Sequence, residues 1–74
     1  MSSDERLYEV IATFSDGAED VWEEEGGEDP EEVTRGVVAA IRSEGHYVYI
    51  GEGQARWYAP SMLLTVEVRA EPTP

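Results

Sequence analysis

The sequence has no cysteine and only one histidine, His46, among its 74 residues. Without cysteine the chain forms no disulfide and no cysteine-based zinc site, and one histidine satisfies few of the usual transition-metal geometries. We therefore predict neither a metal nor a cofactor. A domain this small buries only about 60% of the surface of its unfolded chain, so we expect it to need a well-packed core or a partner chain.

Long apolar runs are absent too. The longest one, at residues 36–41, is far shorter than the roughly 20 residues that a membrane-spanning helix needs. The first ten residues, MSSDERLYEV, lack the basic and apolar segments of a signal peptide. We therefore expect a soluble protein that starts at its own initiator methionine and has no membrane contact. Its expected location is cytoplasmic, or virion-associated if a phage encodes it.

Positive charge is scarce, because five arginines and no lysine stand against 17 acidic residues, which gives a net charge of −12. A charge of this sign repels the phosphates of nucleic acids and of anionic lipids, so direct nucleic-acid binding is not expected. Asparagine is absent as well as lysine. Because the codons of both residues are AT-rich, their absence indicates a GC-rich genome.

The remaining composition is that of a globular chain, with 41% hydrophobic residues. The length predicts one domain at residues 7–70, between a flexible N-terminus at 1–6 and a flexible tail at 71–74. Apolar residues alternate with polar ones in five segments, which is the pattern of β-strands. These segments are residues 7–14, 18–24, 46–50, 55–59 and 62–70.

Residues 29–45 carry the signals of a helix. Asp29 is a good N-cap, Pro30 suits the first helical position, and Glu32 has the spacing of a capping box. Gly45 suits the position just after a helix. The apolar stripe of this helix, which must pack against a sheet, comprises Val33, Val37, Ala40 and Ile41.

Short loops between neighbouring strands favour antiparallel pairing. We therefore predict an α+β fold of order ββαβββ, with one helix and a mostly antiparallel sheet or small curled barrel. Alternation along the later strands predicts that Val48 and Ile50 lie in the core. It also predicts inward positions for Leu64, Val66 and Val68.

The glycine-rich segment GEGQAR, at residues 51–56, raises the question of a phosphate-binding loop. Arg56 stands where a dinucleotide-binding motif has its third glycine. A strand rather than a helix follows, so no helix N-terminus is available to bind an anion. The segment therefore predicts a hairpin turn between two strands.

Aromatic residues concentrate around this predicted hairpin. The candidate protein-interaction residues are Trp22, Tyr47, Tyr49, Trp57 and Tyr58. Three roles are open to them: packing across the strand ladder, contact with a partner protein, or stacking on single-stranded nucleic acid. The last role is disfavoured, because a stacking platform needs a basic groove and only Arg56 lies nearby.

The histidine, His46, follows the predicted helix, where it can bind the last carbonyl groups. It has no serine, cysteine or aspartate partner at a recognisable spacing. We therefore predict no catalytic residue and no enzymatic activity.

An acidic run covers Glu19–Glu32, where nine of fourteen residues are acidic and none is basic. The run lacks the calcium-loop pattern of an EF-hand. It is typical of a solvated edge or loop, and it also suits an acidic surface that imitates a nucleic-acid backbone, or weak binding of a divalent cation. The candidate acidic surface comprises Glu19, Asp20, Glu23, Glu24, Glu25 and Glu28.

Two segments, DPEEVTRGVVAAI and WYAPSMLLTVEV, together combine a capped helix, a strand pair and a P-x-x-[ILM]-x-x-V-E-V ending. With this pattern the chain resembles small single-domain proteins of unknown function from high-GC bacteria and their tailed phages. The resemblance covers about residues 18–70. It implies the same small architecture and carries no catalytic or binding residue.

The leading functional hypothesis is a non-catalytic protein-interaction or structural module, with a partner protein or its own copies as ligand. A small head or decoration protein of a phage particle is its most concrete version. The alternative is an acidic, nucleic-acid-mimicking inhibitor or regulator of a DNA-binding or defence protein.

Overall fold

The computed structural model describes residues 5–72 and places five strands and one α-helix in the order ββαβββ. A single 3₁₀ turn at Pro60–Met62 precedes the last strand. The elements are β1 (Arg6–Phe14), β2 (Glu19–Gly26), α1 (Pro30–Glu44), β3 (His46–Gly51), β4 (Gln54–Tyr58) and β5 (Leu63–Ala70).

All strand pairings are antiparallel, and the strands divide into two sheets. The first sheet has the strand order β2-β1-β5, and the second is the β3–β4 hairpin. The predicted α+β fold and its element order are therefore confirmed. Of the two arrangements considered, the described strands form open sheets and do not close into a barrel.

The central strand β1 supplies most of the core of the three-stranded sheet. Its period-two pattern points Tyr8, Val10, Ala12 and Phe14 to one face, where each is at most 1% exposed. Trp22 lies directly opposite Val10 on the neighbouring strand β2, so it faces the same side. The alternation of residues 7–14 thus corresponds to one buried face of β1.

The helix α1 begins and ends as its sequence predicts. The Asp29 carboxylate accepts the backbone N–H of Glu31 at 3.0 Å, and Gly45 donates its N–H to the carbonyl of Ile41 at 2.7 Å. Val37 and Ile41 are buried against Val10 and the apolar residues of β5, whereas Val33 is half-buried and Ala40, predicted in the same stripe, is exposed. Because α1 packs chiefly on β5, the inner face of β2 is only partly covered.

Two residues predicted in the core are exposed, and both lie at strand irregularities. Leu64 is 62% exposed, because the β1–β5 register shifts and Leu63 takes the inward position. Ile50 is about half exposed, because the hairpin register shifts around it and it lies near the hairpin turn. Val48, Val66 and Val68 keep their inward positions, with Val48 buried and the two β5 valines half-buried.

The predicted flexible ends fall partly outside the described residues, since 1–4 and 73–74 lie beyond them. At the described margins, Arg6 already belongs to β1. Glu71 donates its backbone N–H to the carbonyl of Leu7 at 2.9 Å. β1 thus begins one residue before the predicted strand, and β5 ends at the predicted residue, Ala70. Within residues 5–72, no helix has the length and apolar character to cross a membrane.

Candidate protein-interaction surface

Three aromatic side chains share one face of the β3–β4 hairpin. Tyr47 lies directly opposite Trp57, and Tyr49 lies opposite Ala55, so period-two alternation places all four on the same side. Tyr47 is 63% exposed, Tyr49 is 85% exposed and Trp57 is 50% exposed. We call Tyr47, Tyr49 and Trp57 the aromatic face.

The base of the aromatic face is fixed to the end of α1. The indole N–H of Trp57 donates to the backbone carbonyl of Glu44 at 2.9 Å. The indole lies against Gly45, whose φ of +76° suits glycine, and a Cβ atom there would collide with the Trp57 ring and the Tyr58 carbonyl. The helix C-terminus therefore sets the position of the largest aromatic side chain.

Tyr58, the fourth hairpin residue among the candidate contact residues, does not belong to this surface. It is 2% exposed, and its ring stacks on Phe14 with ring centroids 4.3 Å apart. Its hydroxyl donates to the Asp16 carboxylate at 2.8 Å and accepts a long hydrogen bond of 3.4 Å from Arg56. Successive side chains of a strand point to opposite faces, so Tyr58, which follows the exposed Trp57, points into the core.

Asp16 connects the first turn of the chain to this buried tyrosine. Its carboxylate accepts the backbone N–H of Ala18 and the hydroxyl of Tyr58, and these hydrogen bonds lower its pKa below the usual value. A lowered pKa means that the ionised carboxylate stabilises the fold above the unfolded-state pKa, near about 4. That contribution is lost as pH falls through the folded-state pKa.

We expect the D16N variant to be less stable than wild type at neutral pH, with a difference that shrinks as the pH falls below about 4. Urea unfolding of both proteins at a series of pH values measures this difference directly. Comparing the two proteins at each pH cancels the titration of the other carboxylates. A stability difference that stays constant down to low pH would contradict the role of the Asp16 charge.

His46 has a partner that the sequence does not reveal. Its Nε2 atom lies 2.7 Å from a carboxylate oxygen of Asp20, a residue of β2 that is 26 positions earlier in the chain. The imidazole stacks between Trp22, at a centroid distance of 4.7 Å, and Phe14, at 5.9 Å. The expectation that His46 lacks an aspartate partner is therefore wrong, and the ring joins the hairpin to the three-stranded sheet.

Trp22 is half-buried and contributes only part of its side chain to the surface. Its indole N–H donates to a carboxylate oxygen of Glu24 at 2.9 Å, and its ring packs on His46. Of the five aromatic candidates, three are thus exposed, one is half-buried and one is buried. Which of the five side chains are exposed depends on the pairing register of the strands, and the sequence alone does not give that register.

The acidic run does not form one continuous array. The register places Asp20 and Glu24 on the inner face of β2 and its other acidic residues on the outer face, while Glu28 lies in the loop, 3.8 Å from Arg6. The carboxylates on the outer face of β2 are Glu19, Glu23 and Glu25.

Glu23 also lies close to the carboxylate of Glu71, the residue that follows β5. A hydrogen bond with Glu23, desolvation and repulsion from Glu23 and Glu9 raise the pKa of Glu71 above its usual value. Within the described part of the chain, no group of three or more acidic or histidine side chains has an arrangement that holds a metal ion.

Comparisons of the chain with protein-family models, with curated proteins and with solved structures give no match. The aromatic face presents large aromatic side chains without a basic groove beside them. Arg56 pairs with Val48 on the opposite side of the hairpin.

Proposed function

We propose that this chain is a non-catalytic protein-interaction module that binds its partner through the aromatic face. The observation that carries the proposal is the joint exposure of Tyr47, Tyr49 and Trp57 on one side of the hairpin. Tyrosine and tryptophan are enriched at binding hot spots, because each buries a large area at a small cost in side-chain entropy.

The hairpin base supports this role, because its anchoring contacts restrict the motion of the aromatic face. Trp57 binds the carbonyl of Glu44, His46 binds Asp20, and Tyr58 binds Asp16. A surface that is ordered before binding loses less conformational entropy when the complex forms. We therefore propose a preformed contact surface rather than one that orders on binding.

The most concrete version of this proposal remains a small head or decoration protein of a phage particle. Its support is the size, the composition and the resemblance to proteins of high-GC bacteria and their tailed phages. The acidic alternative, a nucleic-acid mimic, has less support. Asp20 is bound to His46 and Glu28 lies beside Arg6, and the remaining carboxylates of β2 are divided between two faces.

The test compares affinity capture by immobilised wild type with capture by the Y47T/Y49T double variant. Threonine keeps a high strand propensity while it removes the aromatic contact area. Because truncation of a hot-spot residue costs about 2 kcal/mol or more, we expect the loss of two such residues to weaken binding of the captured partner about 1000-fold.

The matched control is the L64T variant, which makes the same kind of change at an exposed apolar residue of β5. We expect its affinity for the partner to equal that of wild type. Sedimentation of the same proteins tests self-association in parallel, with copies of the chain as the partner. Equal affinity, or equal oligomer formation, for wild type and Y47T/Y49T would overturn the proposal.

A further inference from the structure

A groove runs between the inner face of β2 and the helix α1. It consists of two adjoining depressions of about 330 and 300 Å³, which share Glu24, Val37 and Ala40 in their linings. Trp22 and Ile41 line one depression, and the groove reaches Tyr47 of the aromatic face at one end. We call these two depressions the β2–α1 groove. Because it reaches Tyr47, the groove is continuous with the aromatic face proposed to bind the partner.

The strand beside the groove has an unpaired edge among residues 5–72. β2 is the outermost strand of its sheet and pairs only with β1. Half of the backbone N–H and C=O groups of such a strand point away from the sheet, where another extended chain can pair with them. A chain paired with β2 would place every second side chain towards the groove.

The groove combines an apolar floor with an acidic rim. Trp22, Val37 and Ala40 supply apolar surface, while the carboxylates of the rim belong to Glu24, Glu32 and Glu44. The complementary ligand carries apolar side chains that enter the groove and positive side chains that reach the rim. An acidic ligand, including a second copy of this chain with its net charge of −12, is repelled.

We propose that the β2–α1 groove binds an extended, basic segment of the partner protein, which pairs with β2 as an added strand. Every second side chain of this segment faces the groove: the apolar ones contact Trp22 and Val37, and the arginine or lysine side chains among them contact the acidic rim. The inference rests on the proposed function, because it names the chemistry of the partner that the interaction module binds.

The probe is a synthetic peptide with threonine at every second position and with valine and arginine in turn at the positions between, so that both face the groove. Its binding is measured by fluorescence anisotropy. We expect the E24Q/E44Q variant to bind it about tenfold more weakly than wild type. Glutamine keeps the acceptor oxygen that the Trp22 indole N–H uses, so the side chains stay in place. The matched control is E52Q/E67Q, which removes the same charge from exposed positions in the hairpin turn and on β5. We expect this control variant to bind the peptide nearly as tightly as wild type does.

Two further peptides test the binding mode. A peptide of the same sequence with alternate backbone amides methylated cannot form the strand ladder, and we expect no measurable binding. A peptide of the same composition with its threonines, valines and arginines in separate blocks keeps the charge but no longer presents valine and arginine in turn to the groove, and we expect weaker binding. Equal binding of all three peptides, or equal weakening by E24Q/E44Q and E52Q/E67Q, would overturn the inference in favour of non-specific charge attraction.

The outcomes for this inference and for the proposed function are separable. If the peptides fail to bind while Y47T/Y49T still abolishes capture of the partner, the groove inference is wrong and the proposed function stands. If the peptide binds as expected but capture is insensitive to Y47T/Y49T, the aromatic face is not the contact surface, and the proposed function is wrong in that form.

Discussion

The F14A variant is expected to lose about 3–5 kcal/mol of its free energy of unfolding, the usual cost of removing a buried phenylalanine ring. Phe14 is fully buried, stacks on Tyr58 and lies in one apolar cluster with Ala12 and Val48. This cluster is where the three-stranded sheet meets the hairpin. Removal of the ring therefore weakens the contact between the two sheets as well as the core.

The expected loss is large relative to the whole stability of the chain. At about 0.05–0.15 kcal/mol per residue, 74 residues give about 4–11 kcal/mol in total. Urea unfolding followed by circular dichroism measures the change. The control is F14L, which refills most of the volume and should cost much less. A loss below about 1 kcal/mol in F14A would contradict a core centred on this ring.

The G45A variant is expected to be strongly destabilised for two separate reasons. The backbone at this position, with φ +76° and ψ −164°, is almost restricted to glycine and costs a residue with a side chain about 1–3 kcal/mol. The added Cβ atom would also collide with the Trp57 indole and the Tyr58 carbonyl, and such overpacking costs about 1–3 kcal/mol more. We expect a lower urea midpoint together with a change in tryptophan fluorescence, because the indole must move.

A variant at a second glycine distinguishes the cost of the backbone conformation from the cost of the collision. Gly53, in the hairpin turn, has a similar φ of +73°, but a Cβ atom there would meet nothing within 4 Å. The G53A variant should therefore lose only the conformational part, with unchanged fluorescence. Equal destabilisation in G45A and G53A would contradict the close contact between the helix end and Trp57.

The features that local patterns determine are the ones that sequence reasoning predicts. The alternation in β1 places Tyr8 and Phe14 correctly, because one face of that strand is fully buried. The cap at Asp29 and the stop at Gly45 follow from the chemistry of helix ends. These signals involve residues within a few positions of one another, so no knowledge of the tertiary structure is needed.

The features that depend on distant pairing could not be predicted in the same way. Both faces of the hairpin carry aromatic residues, so alternation separates Trp57 from Tyr58 without showing which one is buried. The position of Leu64 depends on a register shift against β1, and the partner of His46 lies on a strand 26 residues away. Each outcome is fixed by contacts between strands that are distant in the sequence, which no local pattern encodes.

The β2–α1 groove also depends on contacts between segments that are distant in the sequence. Its floor joins Trp22 of the second strand to Val37 and Ala40 of the helix, and its depth follows from the packing of α1 towards β5. The sequence predicts an acidic run and an amphipathic helix separately. Their arrangement as rim and floor of one groove appears only in the folded chain.

Hydroxyl-radical footprinting of the chain, alone and bound to its partner, tests the central claim most directly. The exposed side chains Leu7 and Leu64 lie outside the aromatic face and serve as controls within the same molecule. We predict that binding lowers the oxidation of Tyr47, Tyr49 and Trp57 while the two leucines react as before. Unchanged oxidation of the three aromatic residues, with protection of the leucines instead, would contradict it.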